Sequence, residues 1–154
     1  MRNSKFRSLA VVFLALSAVT LFTAATYNDY TTPSFGTITA TYNAGSLSAQ
    51  SPLSNTTITS STPALATITN LVLTSSKNLN SAGSAVIYVR LVKNGVTTEA
   101  SKPWAQSLTF SEFNGKTLSG GVISVWIIAT RPTAGAIAAF SLTSVKAKIN
   151  YTYD

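Results

Sequence analysis

The chain contains neither cysteine nor histidine. That removes thiolate nucleophiles, imidazole bases, disulfides and zinc sites of the usual nitrogen and sulfur type. Carboxylates are nearly as scarce, with Asp29, Glu99, Glu112 and Asp154 forming the full set. A glycosidase needs two facing carboxyl groups, and a calcium site usually gathers several oxygen ligands. Glu99 follows a hairpin signal, Glu112 precedes an Asn-Gly turn, and the other two lie near the ends of the exported chain. Serine and threonine hydroxyls are abundant, but no evident base accompanies them. The composition points away from an enzyme and implies no cofactor. Charge is also sparse, at 10% of residues. Beyond residue 25 the basic side chains are Lys77, Arg90, Lys93, Lys102, Lys116, Arg131, Lys146 and Lys148. They are scattered rather than gathered into a stripe with interleaved aromatics, so no nucleic-acid partner is indicated.

What is present begins with the N-terminus. Arg2, Lys5 and Arg7 precede an uncharged apolar run from Leu9 to Phe22, and Thr23-Ala24-Ala25 follows it. Basic, apolar, small is the layout of a secretory signal peptide. Leu9 to Ala25 is about 17 residues, at the lower limit for a membrane-spanning helix, and no basic stop-transfer cluster follows it. The chain is therefore expected to be secreted, to meet a membrane only during export, and to be cut near Ala25. That divides it into a signal (1–25), a short N-terminal extension (26–33) and one domain (34–154). A domain of that size can bury a core without disulfides.

The domain reads as β-structure. Segments rich in Val, Ile, Thr, Tyr and Phe recur between Gly, Asn, Pro and Ser, without a long helical period. Strands are expected at Phe35–Tyr42, Thr56–Ser60, Leu65–Ser75, Ser84–Lys93, Val96–Glu99, Ser107–Phe113 and Val122–Thr130. Asn94-Gly95 is a type I′ hairpin signal, because Asn-Gly tolerates positive φ. Val122–Thr130 is apolar on both faces, which suits a central strand, and Trp126 within it is expected in the core. In the last strand Val145, Ala147, Ile149, Tyr151 and Tyr153 alternate with polar residues. Phe140 and Leu142 lie in the opposite phase, which calls for a bulge near Thr143-Ser144. About eight strands with short turns make an all-β, antiparallel two-sheet sandwich of jelly-roll or immunoglobulin-like form.

The junction Thr26-Tyr27-Asn28-Asp29-Tyr30, followed by Phe35-Gly36-Thr37-Ile38-Thr39-Ala40, resembles the TasA/camelysin family of secreted fibre proteins, which includes archaeal bundling pilins. The spacing around Phe35 is tighter than in that family, and its Pro-Gly turn is absent. The resemblance covers roughly the first fifty residues and extends beyond them only as fold class. It implies a jelly-roll subunit that polymerises head to tail with identical subunits by donor-strand complementation. Thr26, Tyr27, Asn28, Asp29, Tyr30, Thr31 and Thr32 would form the donor strand, with Tyr27 and Tyr30 as anchors. The segment is β-prone, has few expected partners in its own domain, and can extend roughly 25 Å at ~3.3 Å per residue.

Asn55-Thr56-Thr57 and Asn150-Tyr151-Thr152 are glycosylation sequons, so Asn55 and Asn150 are candidate glycan sites. A weakly charged, hydroxyl-rich surface would also suit lateral bundling of filaments. Two other readings stand beside the donor-strand one. Arg7-Ser8 before Leu9 resembles the processing site of archaeal type IV pilins, which would keep Leu9–Ala25 as a helical core. A secreted carbohydrate-binding sandwich would instead use Trp104 and Trp126 as a sugar platform.

Overall fold

The computed structural model describes residues 26–58 and 62–153. The expected signal segment, and the end of the strand expected at Thr56–Ser60, lie outside the described residues. The described residues form ten strands: β1 (Thr26–Thr31), β2 (Ile38–Tyr42), β3 (Ser48–Gln50), β4 (Ser54–Thr57), β5 (Thr67–Lys77), β6 (Ser84–Lys93), β7 (Val96–Pro103), β8 (Ser107–Thr109), β9 (Val122–Thr130) and β10 (Ala138–Tyr153). They form two antiparallel sheets that pack as a β-sandwich.

The first sheet runs β8–β5–β10, with β1 and β2 end to end along the far side of β10. The second runs β7–β6–β9, with β3 and β4 end to end along the far side of β9. Counting β1–β2 and β3–β4 each as one broken strand leaves eight positions. The first pairs with the last, the second with the seventh, the third with the sixth and the fourth with the fifth. One long hairpin rolled up on itself has that pairing, and the result is the jelly-roll order.

Period-2 alternation supplies the core. β9 sends Ile123, Val125, Ile127 and Ala129 inward, opposite Leu91, Val89, Ile87 and Ala85 of β6. β10 contributes Phe140 and Leu142, then Val145, Ala147, Ile149 and Tyr151. The change of phase is made where the sequence requires it. The register against β5 shifts between Thr143 and Lys146, and Ser144 takes φ 54°. The expected hairpin also forms, with Asn94 at φ 50° and Gly95 at φ 76° between the paired Lys93 and Val96.

Three expectations need correction. The Ser107–Phe113 strand stops at Thr109, and Ser111–Phe113 form a 3-10 turn. That turn buries Phe113 edge-on against Phe110, with centroids 6.2 Å apart. The early strand in Thr56–Ser60 lies at Ser54–Thr57 instead. Trp126 is not in the inter-sheet core. It alternates with Val125 and Ile127, so it points to the outer face of the second sheet. There it stacks on Tyr88 at 5.2 Å, under the Arg90 guanidinium at 4.9 Å. This sandwiching leaves it only 5% exposed.

Candidate assembly edge

Both sheets break the strand on one edge in the same way. In each, a buried hydroxyl residue directly precedes a proline: Thr32-Pro33 on the first sheet and Ser51-Pro52 on the second. Proline cannot donate to a ladder and disturbs pairing, so a polar group on the neighbouring strand needs another partner. The Thr32 N–H donates to the Ala147 carbonyl at 2.9 Å, and the Ala147 N–H donates to Thr32 Oγ1 at 3.0 Å. The Ser51 N–H donates to the Ile127 carbonyl at 3.0 Å, and the Ile127 N–H donates to Ser51 Oγ at 3.0 Å. Leaving either buried N–H without an acceptor would cost about 1–3 kcal/mol. After the first break, the Phe35 N–H rejoins Val145 and Gly36 turns the chain at φ 75° before β2 begins.

The residues expected as a donor strand form β1. The expectation that they have few partners within their own domain is corrected, because they pair along the last part of β10. The register runs from Thr26 opposite Tyr153 to Thr31 opposite Lys148. The attachment is mainly main-chain. Thr26, Asn28 and Tyr30 lie on the inner side beside Tyr153, Tyr151 and Ile149, yet Thr26 and Asn28 are exposed and only Tyr30 packs against the core. The Asn28 side-chain amide donates to the Tyr153 hydroxyl at 3.4 Å. Of the two expected anchors, then, Tyr30 is packed and Tyr27 is 77% exposed.

On the outer side, Tyr27, Asp29 and Thr31 lie beside Thr152, Asn150 and Lys148. One Asp29 oxygen is 2.8 Å from Lys148 Nζ, with both side chains 52% exposed, and the other accepts a hydrogen bond from the Asn150 amide. The chain thus brings Asp29, Lys148 and Asn150 together across the β1–β10 pair. Lys148 escaped attention in the sequence as one of many scattered cations. Its alternation with Ile149 announces an outer-face position, but nothing local announces that β1 will pair there.

Each residue ordered on an edge costs about 1–2 kcal/mol of backbone entropy, and each net hydrogen bond returns about 0.5–1.5 kcal/mol. A strand burying so little side chain therefore stands close to balance. β2, on the same edge, buries Ile38, Ala40 and Tyr42 completely or nearly so. Arg131 reinforces that end: its guanidinium lies 4.8 Å from the Tyr42 ring and donates to the carbonyls of Asn43, Ser46, Gly135 and Ala136. Burial pushes the Tyr42 phenol pKa up, and Arg131 draws it part of the way back.

No protein-family model matches the chain, and no curated protein does. Among solved structures, the chain is similar to the crystal structure of FLHE at 18% identity and a TM-score of 0.46. That match covers 82% of this chain and 98% of FLHE. It is also similar to the infectious bursal disease virus Gx strain structure, at 12% identity and a TM-score of 0.33. There the match covers 83% of this chain and 32% of the viral one. Likenesses at this level say nothing about function.

The remaining candidates are placed apart from this edge or at its centre. Asn55 is exposed on β4, opposite Ser124. Asn150 is half-buried between β1 and β5, with its amide engaged by Asp29. Trp104 and Trp126 form no common platform. The Trp104 indole N–H donates to Ser75 Oγ at 3.1 Å and its ring meets Phe140 edge-on at 6.5 Å, whereas Trp126 is covered on the other sheet.

Proposed function

We propose that the chain is a structural subunit of an extracellular filament, in which β1 of one copy leaves its own β10 and pairs with β10 of the next. The observation that carries this reading is the contrast within one edge. β1 is attached by main chain, one exposed ion pair and two exposed side-chain hydrogen bonds, buries little beyond part of Tyr30, and is joined to the anchored β2 through a break at Pro33–Gly36. Removing β1 would uncover an unpaired edge at Lys148–Tyr153, which an identical strand from another copy fits equally well. Such a contact is head-to-tail and need not close, so repetition gives a fibre.

Three further points support the reading. The N-terminal sequence has the layout of a secretory signal, and a cut at the expected place would leave Thr26–Thr31 at the start of the exported chain. Thr26–Tyr30 and Phe35–Ala40 resemble the start of mature TasA/camelysin fibre subunits. The outer face of the first sheet is rich in hydroxyls, with Thr39 and Ser141 sharing a hydrogen bond of 2.9 Å. A face of that kind suits lateral bundling through many weak polar contacts.

The test compares two chains by electron microscopy and light scattering, one beginning at Thr26 and one beginning at Pro33. The longer chain is expected to form filaments and the shorter to remain a folded monomer. Filaments of unchanged abundance from the shorter chain would remove the reading.

A further inference from the structure

The Asp29 cluster has a role in this scheme that main-chain pairing cannot fill. An unpaired sheet edge accepts many extended peptides, since every peptide offers the same donors and acceptors. Selection must come from side chains and register. Asp29 is the single acidic residue in β1 and one of four in the chain, and it meets Lys148 and Asn150 on β10. Accordingly, resting on the strand-exchange reading above, we propose that Lys148 and Asn150 of one copy form a recognition site for Asp29 of the next copy. The acceptor edge then selects its occupant by charge and fixes it in one register.

The register arithmetic supports this. A one-residue slip turns Asp29 to the opposite face, away from Lys148 and Asn150. A two-residue slip in one direction sets Asp29 opposite Thr152 and carries it away from Lys148. The same slip in the other direction sets Asp29 directly opposite Lys148, so charge alone does not exclude it, but it lifts Thr32 off the Ala147 N–H. Observed pairing alone keeps the Asp29 carboxylate on both Lys148 and Asn150 and the Thr32 hydroxyl on the Ala147 N–H together. An exposed ion pair contributes little affinity, but a like-charge pair at the same place opposes binding, so the contact works mainly as a selector.

Charge reversal tests this in trans. In an Asp29→Lys chain the strand carries a cation to a lysine edge, and in a Lys148→Asp chain it carries an anion to an acidic edge. Each alone is expected to need about tenfold more protein to assemble than the unsubstituted chain. An equimolar mixture should return to the unsubstituted value, because each strand then finds the opposite charge on the other chain's edge. Thermal unfolding of each variant checks that it is folded. Should either fail to fold, Asp29→Asn takes its place, with weaker assembly that no longer responds to salt as the supporting result. Equal assembly by all chains, or variants that mixing does not rescue, would overturn the recognition site while leaving filament formation intact. Rescue by mixing that stops at closed dimers would support the site and overturn the filament reading.

Discussion

β1 and β2 occupy the same edge of the same strand, and the chain runs through both in one direction. They differ in what their side chains do. β2 sends Ile38, Ala40 and Tyr42 into the space between the sheets, and its far end is tied down by Arg131. β1 offers Thr, Asn and Tyr at the equivalent inward positions, and only Tyr30 finds cover. Hydrogen-bonded ladders look alike on paper, but the apolar area behind each differs, and with it the strength of each strand's attachment to the core. Thr32 marks the boundary between the two.

The comparison can be broken at three points. The largest effect belongs to β2: Tyr42→Ala should cost about 3–5 kcal/mol of stability by denaturant unfolding, because the side chain is fully buried and bonds the Ala82 carbonyl. A cost below 1 kcal/mol would deny that β2 is built into the core. At the boundary, Thr32→Val should cost about 1–3 kcal/mol by leaving the Ala147 N–H without its acceptor, and Thr32→Ser should restore most of it. Equal stability of the Val and Ser variants would show that the hydroxyl is idle. The smallest effect is on β1 itself. Tyr27→Ala should change monomer stability by no more than about 0.5 kcal/mol, and a larger loss would mean that β1 is anchored after all.

Much of the fold is legible in the residues. Ser84–Lys93 and Val122–Thr130 can be bounded from their apolar content and flanking turns, and the change of phase in β10 follows from Phe140 and Leu142 against Val145 and Ala147. The misread parts share a physical cause. Alternation tells which residues share a face, but in a strand apolar throughout it does not tell which face is inside, so Trp126 reads as core. The short β8 followed by a 3-10 turn looks like one strand because Leu108, Phe110 and Phe113 are all apolar. On the β1 edge, Thr26–Thr32 is recognisable as β-prone, but its pairing with β10 joins residues more than a hundred positions apart, and no local pattern encodes that distance. The Thr32 and Ser51 hydroxyls become meaningful only once Ala147 and Ile127 are seen opposite them.

The most direct measurement is whether β1 and β10 belong to one copy or two in assembled material. Tyr27 and Thr152 are directly opposite, at a separation that suits a disulfide in antiparallel strands, and the chain has no other cysteine to confuse the result. A chain carrying Tyr27→Cys and Thr152→Cys would be assembled, oxidised, denatured and run without reductant. Strand exchange predicts a ladder of covalently linked multimers. Filaments that dissolve entirely into internally bridged monomers would contradict it.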